Sequence, residues 1–145
     1  MLGQPWRPRS QACNKPAMTL RSTRPPATAD TTSRPERWWL DAGDAAEAVL
    51  TIPADPQRTR RFEIACAMTV RCGDSPDGAW HEMTVLANGA QQWRRRICSS
   101  NPGAFDGLDY RFARTLAPGE SLRLVLRLAV RGVQRHRLVL EADEG

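Results

Sequence analysis

Between Arg60 and Cys72 apolar and polar residues alternate: Phe62, Ile64, Cys66, Met68 and Val70 fall on one face, Glu63, Ala65, Ala67 and Thr69 on the other. Period 2 over nine residues predicts a strand with one face buried. Shorter runs of the same kind fill the chain from Trp38 onward. "WWLDAG" and "AEAVLTIP" are each closed by Gly or Pro, and "LDYRFAR" sets Leu108, Tyr110 and Phe112 inward against Asp109 and Arg111 outward. "ESLRLVLRLAV" and "RHRLVLEA" flank "RGVQ", while "GDSPDG" is a turn cluster.

"AWHEMTVLANGAQQWRRRIC" reads as a hairpin centred on Asn88-Gly89. Its register follows from the side chains, because a slip of one residue sends each of them to the opposite face. A two-residue loop pairs Glu82 with Arg95 and Thr84 with Trp93 and leaves both faces mixed. A three-residue loop, Asn88 to Ala90, pairs Val85 with Trp93 and Met83 with Arg95. It gathers Met83, Val85, Trp93 and Ile97 on one face and Glu82, Thr84, Arg94 and Arg96 on the other, so a three-residue loop with a bulge is the expected form.

"SLRLVLRLAVRG" is ambiguous. Arg123, Arg127 and Arg131 recur at i, i+4, with Ser121 and Gly132 placed as helix caps. Strict alternation of Leu122, Leu124, Leu126, Leu128 and Val130 favours a strand, as does the preceding "APGE" turn. Eight strand-like runs without a long helix predict an antiparallel β-sandwich of the jelly-roll or immunoglobulin-like type. In architecture, "VLANGAQQW" followed by "LAPGESLRLVL" resembles the jelly-roll modules that accompany carbohydrate enzymes, a resemblance that implies the sandwich.

Residues 1–36 differ in composition. They hold six of the eleven prolines, many Ser and Thr, and no acid before Asp30. Such a segment buries too little apolar area to offset its chain entropy, so a disordered tail is expected before a single domain over 37–145. A flexible tail, or a start at Met18, fits this composition better than a transit peptide or secretion leader. The 145 residues leave room for one core.

The net charge of +5 suggests an anionic partner, and its distribution weakens that suggestion. Residues 1–37 hold seven basic side chains and two acids, whereas 38–145 hold fourteen arginines and fourteen acids. A polyanion footprint needs unbalanced positive charge, which leaves non-specific nucleic-acid contact through the tail as the only nucleic-acid role to expect. Apolar runs fall well short of the ~18 residues a membrane helix needs, and the cytoplasm is the expected location. Cys66 and Cys72, six residues apart on one strand, stand ~20 Å from each other, beyond disulfide reach. The four cysteines and two histidines follow no zinc spacing. Free thiols, no metal and no cofactor are therefore expected.

No catalytic constellation can be read. His136 lies among arginines as a solvated residue, and His81 shares a face with Met83 as a hydrogen-bonded histidine at the core edge. Of Arg94, Arg95 and Arg96, one must face opposite to its neighbours; in the preferred register that is Arg95, beside Trp93. An arginine aimed at an apolar face must find a carboxylate or reach past the sheet edge, and a rim salt bridge is the expected form. Trp80, His81, Trp93 and Arg95 are the candidate ligand-binding residues, framing an anion or sugar contact. Trp38 and Trp39, as strand neighbours, place one ring inward and one outward. Asp74, Asp77, Asp106 and Asp109 resemble calcium-loop acids, but Asp-Gly is ordinary turn chemistry and the spacing is not that of an EF-hand. The reading is a non-enzymatic β-sandwich binding module for a small ligand, glycan or protein partner. The alternative is an assembly protein pairing through strand edges.

Overall fold

The computed structural model describes residues 34–74 and 77–145. The tail over 1–36, apart from its last three residues, and the start at Met18 lie outside the described residues. Each alternating run becomes a strand: β1 (Arg37–Asp41), β2 (Glu47–Ile52), β3 (Arg60–Cys72), β4 (Trp80–Ala87), β5 (Ala90–Cys98), β6 (Phe105–Leu116), β7 (Leu122–Arg131) and β8 (Val133–Glu144). They form two four-stranded antiparallel sheets, ordered β1-β8-β3-β6 and β2-β7-β4-β5. Among the described residues no helix is long and apolar enough to cross a membrane.

This order is a doubled ribbon rolled up. Folding the chain back on itself at the β4–β5 turn brings β1 to β8, β2 to β7, β3 to β6 and β4 to β5; rolling the ribbon adds β8 to β3 and β7 to β4. That is the jelly-roll arrangement. The immunoglobulin alternative is set aside, because it would keep the first two strands in one sheet, whereas here they lie in different ones. Inward residues of both sheets meet in one core, including Phe62, Ile64 and Leu140 from one and Met83, Leu124 and Leu126 from the other.

The ambiguous segment is a strand, β7. Its leucines reach a single face only at period 2, and its arginine repeat is satisfied as well, since a step of four is also a multiple of two. Arg123, Arg127 and Arg131 therefore line the outward face.

The hairpin differs from expectation in one detail. Asn88 (φ 49°) and Gly89 (φ 82°) form a two-residue loop closed by the Ala87–Ala90 pair. Both residues accept the left-handed backbone of a type I′ turn, whose twist suits the strands. The extra residue enters one step further on: the partner of Leu86 is Gln91 and that of Val85 is Trp93, which leaves Gln92 bulged. The bulge returns β5 to the expected register, with Met83 opposite Arg95. Apolar burial thus overrides the register the turn alone would impose.

Two glycines are set by close packing. Gly132 alone joins β7 to β8 as the chain crosses between sheets; its φ is +74°, and a Cβ there would sit 3.1 Å from Ala79 Cβ. On β6 a Cβ at Gly107 would fall 2.4 Å from the Met68 carbonyl oxygen of β3.

One end of the sandwich is closed by charge. Arg60, its side chain only 2% exposed, donates from Nη1 to Glu36 Oε1 (2.9 Å) and from Nη2 to the Pro53 carbonyl (2.8 Å). Arg58 donates to Glu36, to Asp55 and, from Nη1 and Nη2, to both carboxylate oxygens of Glu144. The backbone closes the same join, with Glu36 N donating to Glu144 Oε1 and Glu144 N to Glu36 O, each at 2.9 Å. These contacts bind the entry to β1, the β2–β3 loop and the end of β8.

Hydrogen bonds from Arg58 hold the Glu144 carboxyl below the usual glutamate range, so the fold favours its charged form. That contribution is complete above the unfolded value near ~4.3 and is lost as pH falls through the lower folded value. Thermal melts between pH 7 and pH 3 should show the melting temperature falling below about pH 4, with a shallower decline in Glu144→Gln. An equally steep decline in that variant would assign the acid sensitivity elsewhere. Gly107→Ala should cost roughly 1–3 kcal/mol in urea unfolding, because strand backbone must shift to admit the methyl group, whereas Gly89→Ala meets nothing within 4 Å and should pay only for the strained φ.

Candidate functional site

The β4–β5 hairpin presents two different surfaces. On its inward face His81, Met83 and Val85 are buried, and His81 Nδ1 lies 2.7 Å from Ser99 Oγ while Nε2 meets no partner among the described residues. Trp93 of β5 stacks on Tyr110 of β6, with centroids 4.7 Å apart and planes 9° from parallel; Tyr110 in turn stacks on Phe112 at 5.5 Å. This ladder closes the side of the sandwich between edge strands β5 and β6. Arg95 follows Trp93 on that inward face, yet it is exposed and, among the described residues, has no carboxylate within 4.0 Å. The expected rim salt bridge does not form. An edge strand lets the long side chain reach water past the sheet, and three consecutive arginines on such an edge discourage pairing with another chain.

The outward face carries a built polar cluster. Glu82, with a side chain 10% exposed, sits opposite Arg96 and between Arg94 and Arg96. Its Oε2 accepts from Arg94 Nε (2.9 Å) and Arg96 Nε (3.3 Å), with Arg94 Nη2 also 2.9 Å away in the same ion pair. Among the described residues no donor reaches Oε1. The Arg96 guanidinium lies 3.7 Å from the centre of the Trp80 ring, a cation–π contact that fixes both groups. Across the sheet, β7 places Arg127 opposite Thr84 on one side and opposite Glu47 of β2 on the other. Arg127 Nε donates to Glu47 Oε2 at 3.0 Å.

Ala129 of β7 is the neighbour of Glu82, and its short side chain leaves space. The result is an open depression of about 520 Å³ lined by Glu47, Glu82, Thr84, Arg127 and Ala129, among others. It offers fixed acceptors, fixed donors and a hydroxyl within one shallow area. Carboxylates and guanidinium groups so held can hydrogen-bond to paired hydroxyls without first being ordered, which reduces the entropy cost of binding.

Of the four residues singled out in the sequence, Trp93 and Arg95 are neighbours on the inward side of β5. Trp80 lies on the opposite face of the sheet, beside the depression, and His81 is sealed in the core. Glu82, Thr84, Arg127 and Glu47 escaped sequence reasoning. The hairpin register already placed Glu82 between Arg94 and Arg96; that β7 would lie alongside had no local signal.

The remaining candidates are dispersed. Trp38 turns toward the core and donates from Nε1 to Glu36 Oε1 (3.0 Å), while Trp39 points outward and is 54% exposed. His136 packs on Phe105 at 4.6 Å. Arg137 bonds Asp41 Oδ2 (2.9 Å), Arg135 bonds the Asp44 carbonyl (2.8 Å), and Glu141 pairs with Arg37. Asp106 accepts from the Gly107 amide at 2.9 Å, and among the described residues no three His, Cys, Asp or Glu side chains group as metal ligands. Cys66, Cys72 and Cys98 are free thiols, and burial pushes the Cys66 thiol up to about 12.

No family model and no curated protein matches the chain. Among solved structures it is similar to dimeric latent PorU from Porphyromonas gingivalis, at 13% identity and a TM-score of 0.46. The match covers 82% of this chain and 13% of the PorU chain, so the chain spans only a small part of that structure.

Proposed function

We propose that this chain is a non-enzymatic binding module that holds a glycan on the outward face of the β2-β7-β4-β5 sheet. The observation that carries this reading is Glu82: a carboxylate about nine-tenths buried, clamped through one oxygen by two arginines, with its other oxygen unbonded beside an open depression. That second oxygen opens to solvent, and a ligand hydroxyl can take the place of water as its donor. Thr84 and the Glu47–Arg127 pair add acceptors and donors at the same height on the sheet.

Binding is favoured over catalysis by the placement of the histidines, one enclosed in the core and the other against Phe105, both away from the depression.

Isothermal titration of the full chain with a panel of oligosaccharides, neutral and acidic, tests the reading. At least one should bind with a Kd in the millimolar range or tighter, and Glu82→Gln should weaken it roughly tenfold or more, the worth of one hydrogen bond to a charged group. Thr84→Ala should weaken it less, by a few-fold, with an unchanged melting temperature. Absence of binding across the panel would refute the proposal.

A further inference from the structure

The folded part of the chain is neutral in sum, with fourteen arginines and fourteen acids between residues 38 and 145. The tertiary structure distributes them unevenly. On the outward face of the β2-β7-β4-β5 sheet stand Arg94, Arg96, Arg123, Arg127 and Arg131 against Glu47 and Glu82, an excess of three positive charges. The outward face of the other sheet is balanced, its ion pairs including Arg37 with Asp143, Arg61 with Glu63 and Arg137 with Asp41. Positive charge is therefore concentrated on the face that carries the depression.

Two of the five arginines are uncommitted. Arg123 and Arg131 are exposed, and among the described residues neither has a carboxylate within 4.0 Å. Arg123 is steadied through its backbone, whose N–H donates to Asn88 Oδ1 at 2.8 Å, and Arg131 stands opposite Trp80. With Arg127 midway they form a row along central strand β7, about 13 Å from one to the next at ~3.3 Å per residue. The row passes beside the depression, since Arg127 lines it.

We infer that the ligand of this face is an acidic polysaccharide lying along β7, its carboxylate or sulfate groups meeting Arg123 and Arg131 while its hydroxyls reach Glu82 and Thr84. The inference rests on the glycan reading and names the class of glycan. A positive face alone would suit any polyanion; the two acids on it decide between them. Glu47 and Glu82 are acceptors that hydroxyls can bond, and a polysaccharide carries hydroxyls on every ring, whereas the backbone of a DNA strand offers none. Trp80, the tryptophan on this face, is covered by the Arg96 guanidinium at 3.7 Å and so offers no free surface for base stacking of the kind that single-strand binders use.

The test uses the full chain and four probes of similar length: an oligogalacturonate, its methyl-esterified neutral form, a sulfated oligosaccharide and a single-stranded oligonucleotide. Binding is measured by titration at two salt concentrations. The inference expects one of the acidic oligosaccharides to bind at least tenfold tighter than the neutral form. The double variant Arg123→Gln/Arg131→Gln should remove that advantage, lower the slope of log Kd against log salt by one to two, and leave the neutral form's affinity and the melting temperature unchanged. Arg123→Lys/Arg131→Lys should keep most of the advantage. If neutral and acidic forms bind equally and the double variant changes nothing, the acidic assignment falls and the glycan reading stands. If no oligosaccharide binds, both fall. If the oligonucleotide binds tightest and loses affinity in the double variant, the face belongs to nucleic acid; if it binds equally in wild type and variant, that contact lies off the face and the inference is judged on the sugars alone.

Discussion

The guanidinium group of Arg60 is enclosed at one end of the sandwich, and the architecture depends on what surrounds it. Arg60 and Arg58 draw together Glu36 before the first strand, the loop that leads into β3, and Glu144 at the end of the last strand. In a doubled ribbon the outermost pair, β1 with β8, joins the residues farthest apart in sequence and carries the largest loop-closure cost. Such long-range pairing is the slow and expensive part of forming an all-β topology. A buried cation is stable only when it is paired and hydrogen-bonded. Arg60 gains Glu36 and the Pro53 carbonyl as partners of its two Nη atoms only once the ribbon has closed, its Nε staying without a partner among the described residues, which ties its desolvation to the completed fold.

Closure of that end leaves the two outward sheet faces free to differ. Packing dictates the inward positions, where Leu, Ile, Met and Val meet across the core, and it places few demands on outward residues beyond mutual compatibility. On one face the result is interleaved ion pairs and no net charge. On the other, β7 carries its arginines next to a hairpin that brings two more, and a single buried glutamate holds the hairpin pair together. Arg94 and Arg96 are paired with Glu82 and Arg127 with Glu47, while Arg123 and Arg131 have no carboxylate partner among the described residues. The same sheet is therefore apolar and packed on its inner side and positively charged on its outer side.

Much of this was legible in the chain. Alternation at Phe62–Val70 and Leu122–Val130 identified strands and their buried faces, and the hairpin register followed from where Trp93 and Met83 had to point. The size of the turn was misread: Asn-Gly closed a two-residue loop and the extra residue went to Gln92, because turn geometry and core burial are met at separate positions. The candidate site was legible only in part. Trp80 and Trp93 were both conspicuous in the sequence, but adjacency along a chain says little about adjacency across a sheet, and the two rings ended on opposite faces.

Side-chain direction in a strand is decided within two residues, so the sequence by itself determined the strands, their inward and outward residues and the neutrality of the folded part. Neighbouring strands are decided by pairing across the whole chain, and only the tertiary structure placed β7 between β2 and β4. That placement set Arg127 beside Thr84 and Glu47, left Arg123 and Arg131 without acids among the described residues, and collected a positive surface from a chain segment with no net charge. Charge balance summed along a sequence carries no information about distance, and electrostatic recognition depends on distance.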